Sequence, residues 1–252
     1  MRRLGLALAL SSSAFLLHAN DTAAERMKDA TSVFREIMDT PDKGIPQDLL
    51  EKAHCIVIVP GLKAGGFVVG GKYGRGFAEC RQGRAGWGAP EAMRVEGGSF
   101  GFQIGASSTD VVMLIMNERG MRRLTEDKFT LGGEASVAAG PVGRQTSAQT
   151  DAQLSAEILS WSRSKGLFAG IALTGATLRP DNDANEELYG RKLTAHEIFT
   201  GDVKAPPTAQ PLISMLNHYS FREQTNTPVE TRAKDAVTDN DANRTGTPTK
   251  KK

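Results

Sequence analysis

Residues 55–80 read CIVIVPGLKAGGFVVGGKYGRGFAEC, and this stretch says most about how the 252-residue chain folds. It opens with the β-branched run 55–59, which ends at Pro60 and predicts a buried strand. Seven glycines then fall between Gly61 and Gly76, interleaved with apolar and aromatic residues. Glycines at that spacing predict short antiparallel strands with tight turns or bulges.

Two helices are predicted before this stretch. Thr22 and Glu25 form a capping box, and apolar residues follow at helical spacing until the break before Pro41. The helix is amphipathic, with two open interpretations: packing on the domain core, or peripheral insertion into a membrane, which its mixed charge weakens. Ile45-Pro46 begins a second short helix that runs to about Ala53.

Downstream of residue 80 the signals alternate between strands and turns before helices take over. Strands are predicted at 77–80, 99–104, 111–116 and 167–178, turns at 97–98 and 117–120, and helices at 182–189, 194–200 and 211–219. The segment 154–164 is compatible with a strand or a helix. Together these elements predict an α+β fold: a single domain of short, mainly antiparallel, glycine-rich strands with flanking helices.

The two ends of the chain differ from the middle. Arg2 and Arg3 precede the apolar stretch 4–17, a pattern typical of a signal peptide cleaved near Ala19, so we expect a periplasmic or secreted protein with possible peripheral membrane association. The last 32 residues contain no Leu, Ile or Met, which predicts disorder. The predicted division is 1–19 signal peptide, 20–40 amphipathic helix, 41–205 main domain, 206–220 C-terminal helix and 221–252 tail.

The only two cysteines are Cys55 and Cys80. In an oxidising compartment they could form a disulfide across the glycine-rich segment, provided that their α-carbons approach closely. The alternative is a pair of buried thiols that behave as small apolar residues.

Composition and motifs argue against several function classes. Without residues 1–19 the formal net charge falls from +2 to zero, because the two excess charges are Arg2 and Arg3, and a neutral chain is a poor nucleic-acid binder. The stretch 66–73 resembles a phosphate-binding loop, but Tyr73 replaces the required Ser or Thr. The four histidines have no metal-ligand spacing, and no nucleophile motif is present. We therefore expect no enzyme activity, no metal and no cofactor.

One local charge excess stands out in the neutral chain. Five basic residues lie between Pro60 and Arg84, against the single acid Glu79; they are Lys63, Lys72, Arg75, Arg81 and Arg84. Cations on glycine-rich turns can present both charge and backbone amides to phosphate groups. They are candidate lipid-binding residues, although scattered surface charge explains the pattern equally, and strand alternation can place Lys72 and Arg75 on opposite faces.

The order of these motifs resembles the SYLF domain family. The similarity runs across roughly residues 25–205 and is carried by these segments: 45–53, the strand ending at Pro60, 63–76, 87–90, 101–105, 109–110, 140–143, 164–170 and 189–190. The resemblance implies binding of phosphoinositides and phosphatidic acid, as in eukaryotic members, where an amphipathic N-terminal helix contributes. Some fungal members also bind and bundle actin filaments, and bacterial members are exported.

Two functions follow as expectations. The first is non-enzymatic binding of an anionic phospholipid surface, phosphoinositide- or phosphatidic-acid-like. The alternative is a protein-interaction module that binds actin-like filaments or cell-envelope proteins.

Overall fold

The computed structural model describes residues 21–40, 44–66, 69–83, 86–100, 105–141, 155–164, 167–168 and 173–220. The strands are β1 Cys55–Gly66, β2 Val69–Cys80, β3 Glu91–Phe100, β4 Gly105–Ile115, β5 Phe129–Thr130, β6 Val137–Ala139, β7 Ile158–Ser164, β8 Leu167–Phe168 and β9 Thr177–Pro180. The helices are α1 Ala23–Met38, α2 Gln47–Lys52, α3 Glu118–Leu124, α4 Asn182–Tyr189, α5 Ala195–Thr200 and α6 Gln210–Tyr219, the last preceded by a 3₁₀ turn at Pro207–Ala209.

All nine strands join one sheet in the order β5-β9-β3-β2-β1-β4-β7-β6, with β8 paired to β7. The described pairs are antiparallel except β6 with β7. The two ends of this order, β5 and β6, are joined by a short turn in which Leu131 bridges Ala135. Because the chain passes directly from one edge to the other, the sheet curls and brings its edges together. The predicted α+β fold with mainly antiparallel strands is confirmed.

Both faces of the central strands are buried, which explains the continuous apolar run in β1. Ile56 and Ile58 face one core layer, which also contains the apolar sides of α1, α2 and α6. Val57 and Val59 face a second layer, which the curl encloses together with residues such as Phe129 and Ile198. We call these the outer and inner faces of the sheet.

Helix α1 packs on the outer face. The capping box is present: Glu25 N donates to Thr22 Oγ1 at 3.1 Å, and Thr22 N donates to Glu25 Oε2 at 2.9 Å. The apolar side is buried, including Met27, Phe34 and Ile37. Of the two interpretations of this helix, packing on the core is therefore the one found. None of the described helices combines the length and apolar character needed to cross a membrane.

Of the two alternatives for the cysteines, the disulfide is the one found. Cys55 and Cys80 are directly opposite each other in the β1–β2 ladder, with α-carbons 4.0 Å apart, and their sulfurs are bonded. Both residues are buried on the inner face. The disulfide therefore fixes the register of the two strands at their buried end.

Four details of the predicted strand pattern were wrong. Strand β1 does not end at Pro60 but continues to Gly66, and residues 117–120 are not a turn, because Asn117 caps helix α3. Gly97 and Gly98 are not a turn but lie inside β3, paired with Lys72 and Gly71. Glycine is needed at 97 for close approach, since a Cβ there would lie 2.9 Å from Ala176 Cα. The segment 167–178 is not one strand either: Gly175 has φ +80° and lies in a turn before β9.

Segment 158–164 is a strand, which resolves the ambiguity at 154–164 for its described part. The predicted helices near 182–189, 194–200 and 211–219 are all present. The predicted signal peptide, strand residues 101–104 and tail lie outside the described residues.

Candidate functional site

Four strands extend well beyond the buried core. β1 to β4 are 10 to 12 residues long, yet the buried inner positions of β1 end at Leu62 and those of β2 end at Gly74. The parts beyond, residues 63–66, 69–73, 96–100 and 105–108, are the tip of the sheet. The sheet therefore extends past its core, and the tip presents side chains at a distance from the buried layers.

A bulge sets which tip residues face outward. The β1–β4 register shifts between Val59 and Leu62, so both of these side chains face inward although three positions separate them. Gly61 takes φ +54° in the bulge, and its N–H donates to Asp110 Oδ1 at 2.9 Å. As a result Leu62 faces inward, and Lys63, which follows Leu62, faces outward and is exposed.

The outward residues of the tip form a small patch. Lys63 is opposite Tyr73 in β2 and opposite Ser108 in β4. One step further along, Gly65 is opposite Gly71, and the two leave a side-chain-free floor. These five residues, the tip patch, help to line a shallow depression of about 490 Å³.

Tyr73 distinguishes this patch from the surrounding surface. It is 47% exposed and is the exposed large hydrophobic side chain among the described residues. Its neighbours across the strands are Lys63 on one side and Glu96 on the other. Exposed tyrosine beside cations is typical of residues that dominate binding energy at protein interfaces. In the sequence, Tyr73 was notable only because it replaces the Ser or Thr of a phosphate-binding loop. The signal that could have identified it is strand alternation, which places Tyr73 on the same face as Gly71 and its cross-strand partner Lys63.

The five basic residues singled out from the sequence do not share one surface. Lys63 and Lys72 both border the depression, but Lys72 is opposite Ala64 and so has the inward parity, while Lys63 has the outward one. The β2–β3 ladder runs without a bulge from Val69 to Ala78, so Lys72 and Arg75 lie on opposite faces. Arg84 lies outside the described residues.

Arg75 is held inside the fold by an acid. Its Nε donates to Asp181 Oδ2 at 2.6 Å, and Asp181 is 2% exposed. Burial opposes the charge on Arg75, but the hydrogen bond and the attraction of Asp181 leave its pKa raised. The pair ties β2 to the start of α4.

Arg81 connects three separate segments. Its guanidinium donates to the carbonyl oxygens of Ala53 at 3.0 Å, Leu50 at 3.1 Å and Ser220 at 3.2 Å, and it lies 4.4 Å from the centre of the Trp87 ring. These contacts join the end of α2 to the end of α6. Arg81 therefore has a structural role in addition to any contact with a ligand.

Two buried carboxyl groups accompany this framework. Glu79 in β2 and Glu91 in β3 are 1% and 0% exposed, and none of their four oxygens has a hydrogen-bond partner among the described residues. Desolvation raises the pKa of each well above its usual value. Burial, with smaller contributions from both glutamates, also raises the pKa of Tyr189, whose hydroxyl donates to Pro90 O. Among the described residues no three His, Cys, Asp or Glu side chains are grouped to hold a metal ion.

The comparisons with known proteins agree on one family. A family model described as "Ysc84: Las17-binding protein actin regulator" matches residues 96–219. Protein YSC84 of Saccharomyces cerevisiae is 36% identical over 183 residues, which is 71% of this chain and 39% of that protein. The chain contains a domain of the Ysc84, or SYLF, family.

Other relatives place the same domain in larger proteins. LAS seventeen-binding protein 3 of Saccharomyces cerevisiae is 35% identical over 71% of this chain and 40% of its own length. SH3 domain-containing YSC84-like protein 1 of Rattus norvegicus is 32% identical over 79% of this chain and 60% of its own length. This chain thus spans between two fifths and three fifths of these relatives, and what they share with it is the SYLF domain.

The family-model match includes Ser108 of the tip patch, whereas Lys63, Gly65, Gly71 and Tyr73 precede it. The family-model match begins at residue 96 in β3 and ends in α6, and the longer alignments to relatives take in about three quarters of the chain. The relatives carry names of binding or regulatory proteins. Within this SYLF domain, the outward tip patch is the described surface whose composition best suits binding.

Proposed function

We propose that this chain is a non-enzymatic binding module whose tip patch contacts a protein partner, of the actin-like filament or cell-envelope type. The observation that carries the proposal is the exposure of Tyr73 beside Lys63, above a floor made of Gly65 and Gly71. A large amphipathic ring on a rigid strand contributes contact area at low entropy cost. The description of the matching family as Las17-binding and actin-regulating supports a protein partner.

A substitution at Gly71, in the floor of the depression, should leave the fold intact. A Cβ added at Gly71 would have only Gly97 O within 4 Å, at 3.9 Å, so a side chain there points into open space. Valine at 71 also suits an extended strand. Gly71→Val should therefore keep the domain folded while filling the floor of the patch.

Co-sedimentation with actin filaments tests the proposal. Tyr73→Ala should weaken binding by about 30-fold, the equivalent of about 2 kcal/mol at an interface hot spot. Gly71→Val should weaken it as well. Lys63→Ala should have a smaller effect, and Lys128→Ala, another exposed lysine distant from the tip, serves as its matched control.

Two results would count against this function. If the parent chain stays in the supernatant with actin filaments, the filament partner is wrong. If the parent binds and the folded Tyr73→Ala and Gly71→Val variants bind equally well, the contact lies elsewhere on the domain.

An anionic lipid surface is the second candidate, favoured by the position of Lys63 and Lys72 at the same tip. Each cation near an anionic membrane contributes on the order of 1 kcal/mol, so two contribute roughly 30-fold in partitioning. Vesicles containing phosphatidic acid or a phosphoinositide should bind the chain more strongly than phosphatidylcholine vesicles, and salt should weaken the binding. Lys63 and Lys72 both border the tip depression, so Lys63→Gln with Lys72→Gln is the decisive pair of changes, and equal binding by that variant would refute this candidate.

A further inference from the structure

Three arginines form a row across neighbouring strands. Arg75 in β2 is directly opposite Arg94 in β3, and Arg94 is directly opposite Arg179 in β9. Side chains directly opposite in antiparallel strands lie on the same face with their Cβ atoms about 5 Å apart, and like charges in this arrangement destabilise the sheet. We call these residues the arginine row. Such a row calls for counter-charges.

The counter-charges are unevenly distributed along the row. Arg75 has Asp181 at 2.6 Å. Arg94 and Arg179 share Glu96: Arg179 Nη1 donates a hydrogen bond to Glu96 Oε2 at 3.4 Å, whereas Arg94 Nε lies 3.8 Å from Oε1, beyond hydrogen-bond distance. The Nε of Arg94 is enclosed and has no hydrogen-bond partner among the described residues. The middle of the row is therefore short of one acceptor.

Arg94 and Arg179 also line a cleft of about 830 Å³. Asp183 and Glu186 of α4 and Asp127 of the loop before β5 line it as well. Lys192 and His196 contribute further from the region of α5. Glu197, another lining residue, is already engaged, since its carboxylate accepts hydrogen bonds from Thr194 N and Oγ1 at 2.8 Å. The cleft thus combines a guanidinium pair on the sheet with carboxylates on α4 and the loop.

We propose that this cleft binds a small zwitterion, an amino acid or the ends of a short peptide. The ligand carboxylate supplies the acceptor that Arg94 lacks and lies beside the guanidinium of Arg179. The ligand ammonium faces Asp183 and Glu186. This site is separate from the tip patch and does not depend on the function proposed for it.

The arginines on one side of the cleft and the carboxylates on the other favour a zwitterionic ligand over a simple anion. A planar carboxylate matches the forked donors of arginine, which gives two parallel hydrogen bonds. A polyanion would meet repulsion from the carboxylates of Asp127, Asp183 and Glu186, whereas an ammonium group is attracted by them. The volume accommodates a ligand of several residues.

Titration of the full chain with tri-alanine tests the site, read by calorimetry and by the ¹⁵N shift of Arg94 Nε. Free tri-alanine should bind and move that resonance. C-terminal amidation should weaken binding by about tenfold or more, because it removes the charged acceptor, and N-acetylation should also weaken it. Absence of heat and of shift at millimolar tri-alanine would overturn the proposal, and so would inorganic phosphate binding as tightly as the peptide.

Substitutions separate a binding role from a structural one. Arg94→Gln should abolish peptide binding while melting no lower than the parent, because it removes the like-charge contacts with Arg75 and Arg179. Arg94→Lys should also bind weakly, since it keeps the charge and loses the fork. Arg122→Gln, an exposed arginine of α3 outside the cleft, is the matched control. If the Arg94→Gln variant is strongly destabilised, the argument from like-charge repulsion is wrong. Arg179→Gln, at a more exposed position, should also lose peptide binding. If the Arg179→Gln variant binds the peptide tightly, the proposed site is wrong.

Discussion

Replacing Glu79 by glutamine should reduce the dependence of the free energy of unfolding on pH above the ordinary carboxyl range. Glu79 is fully buried in β2, opposite Ile56, and neither carboxyl oxygen has a partner among the described residues. Desolvation raises its pKa, so the folded protein holds the proton at pH values where the unfolded chain releases it. Glutamine preserves the size and neutrality of the protonated side chain and cannot ionise.

The sign and size of the effect follow from that difference. A carboxyl whose folded-state pKa is raised contributes its full stability below the unfolded pKa, about 4.3, and loses it as pH rises toward the folded value. Over that range the free energy of unfolding falls by about 1.4 kcal/mol per pH unit for each such group. Burial raises the pKa of Glu91 in the same direction, so both glutamates should make the parent less stable as pH rises above the ordinary carboxyl range.

Other shifted groups fall outside this window. The pKa values of Glu25 and Glu197 are lowered, chiefly by backbone hydrogen bonds at helix caps, so their contributions are lost only as pH falls below the ordinary carboxyl range. The pKa of Tyr189 is raised, and its effect begins only above the ordinary tyrosine value of about 10.

Urea unfolding at pH 5, 6, 7 and 8 provides the measurement. Glu79→Gln should roughly halve the slope of stability against pH, and the double variant with Glu91→Gln should remove most of it. Glu126→Gln, at an exposed position, is the control and should leave the slope unchanged. If Glu79→Gln and the parent have the same slope, Glu79 ionises equally in both states and the argument from burial is wrong.

Three further predictions concern stability and processing. Reduction of the Cys55–Cys80 bond, or its replacement by two alanines, should cost about 3 kcal/mol of stability for a loop of this length, measured by urea unfolding; mass analysis that finds two free thiols in the native protein would contradict the bond. Arg81→Ala should cost about 3 kcal/mol, because three buried backbone carbonyls, at the ends of α2 and α6, lose the donor that Arg81 provides, and a loss within 0.5 kcal/mol would show these contacts to be unimportant. N-terminal sequencing from the native host should find a chain that starts near Asn20, and an intact Met1 in the cytoplasm would refute export.

The strands around residues 55–80 were predictable because the signals for them are local in the sequence. The β-branched run 55–59 and the spaced glycines are local signals, and both lie in strands as predicted; the predicted stop at Pro60 was wrong, because β1 continues through it to Gly66. The Gly97-Gly98 pair was misread for a physical reason. Glycine marks a turn and a close backbone approach equally well, and the deciding neighbour, Ala176, is distant in the sequence.

The candidate site was less predictable because its contacts are long-range. Arg75 pairs with a residue 106 positions away, and Arg81 reaches one 139 positions away. No local pattern reveals that these cations are used within the fold while Lys63 stays exposed. The arginine row depends on the β3–β9 register, which brings together residues 94 and 179. Strand alternation was the local signal that Lys72 and Arg75 could lie on opposite faces unless a bulge intervened, and the β2–β3 ladder has no bulge there.

The disulfide at the buried end of β1 and β2 also determines how the domain carries mechanical load. If the tip were attached to a filament or surface while the chain ends were pulled apart, tension along the backbone would pass from Cys55 to Cys80 through the covalent bond. The segment between the two cysteines, which are 25 positions apart and enclose every tip-patch residue except Ser108, would be bypassed, and roughly 85 Å of extended chain would stay unavailable for stretching. The segment that bears Tyr73 would thus carry no tension under forces that unfold the helices, because the disulfide joins its two strands at their buried end.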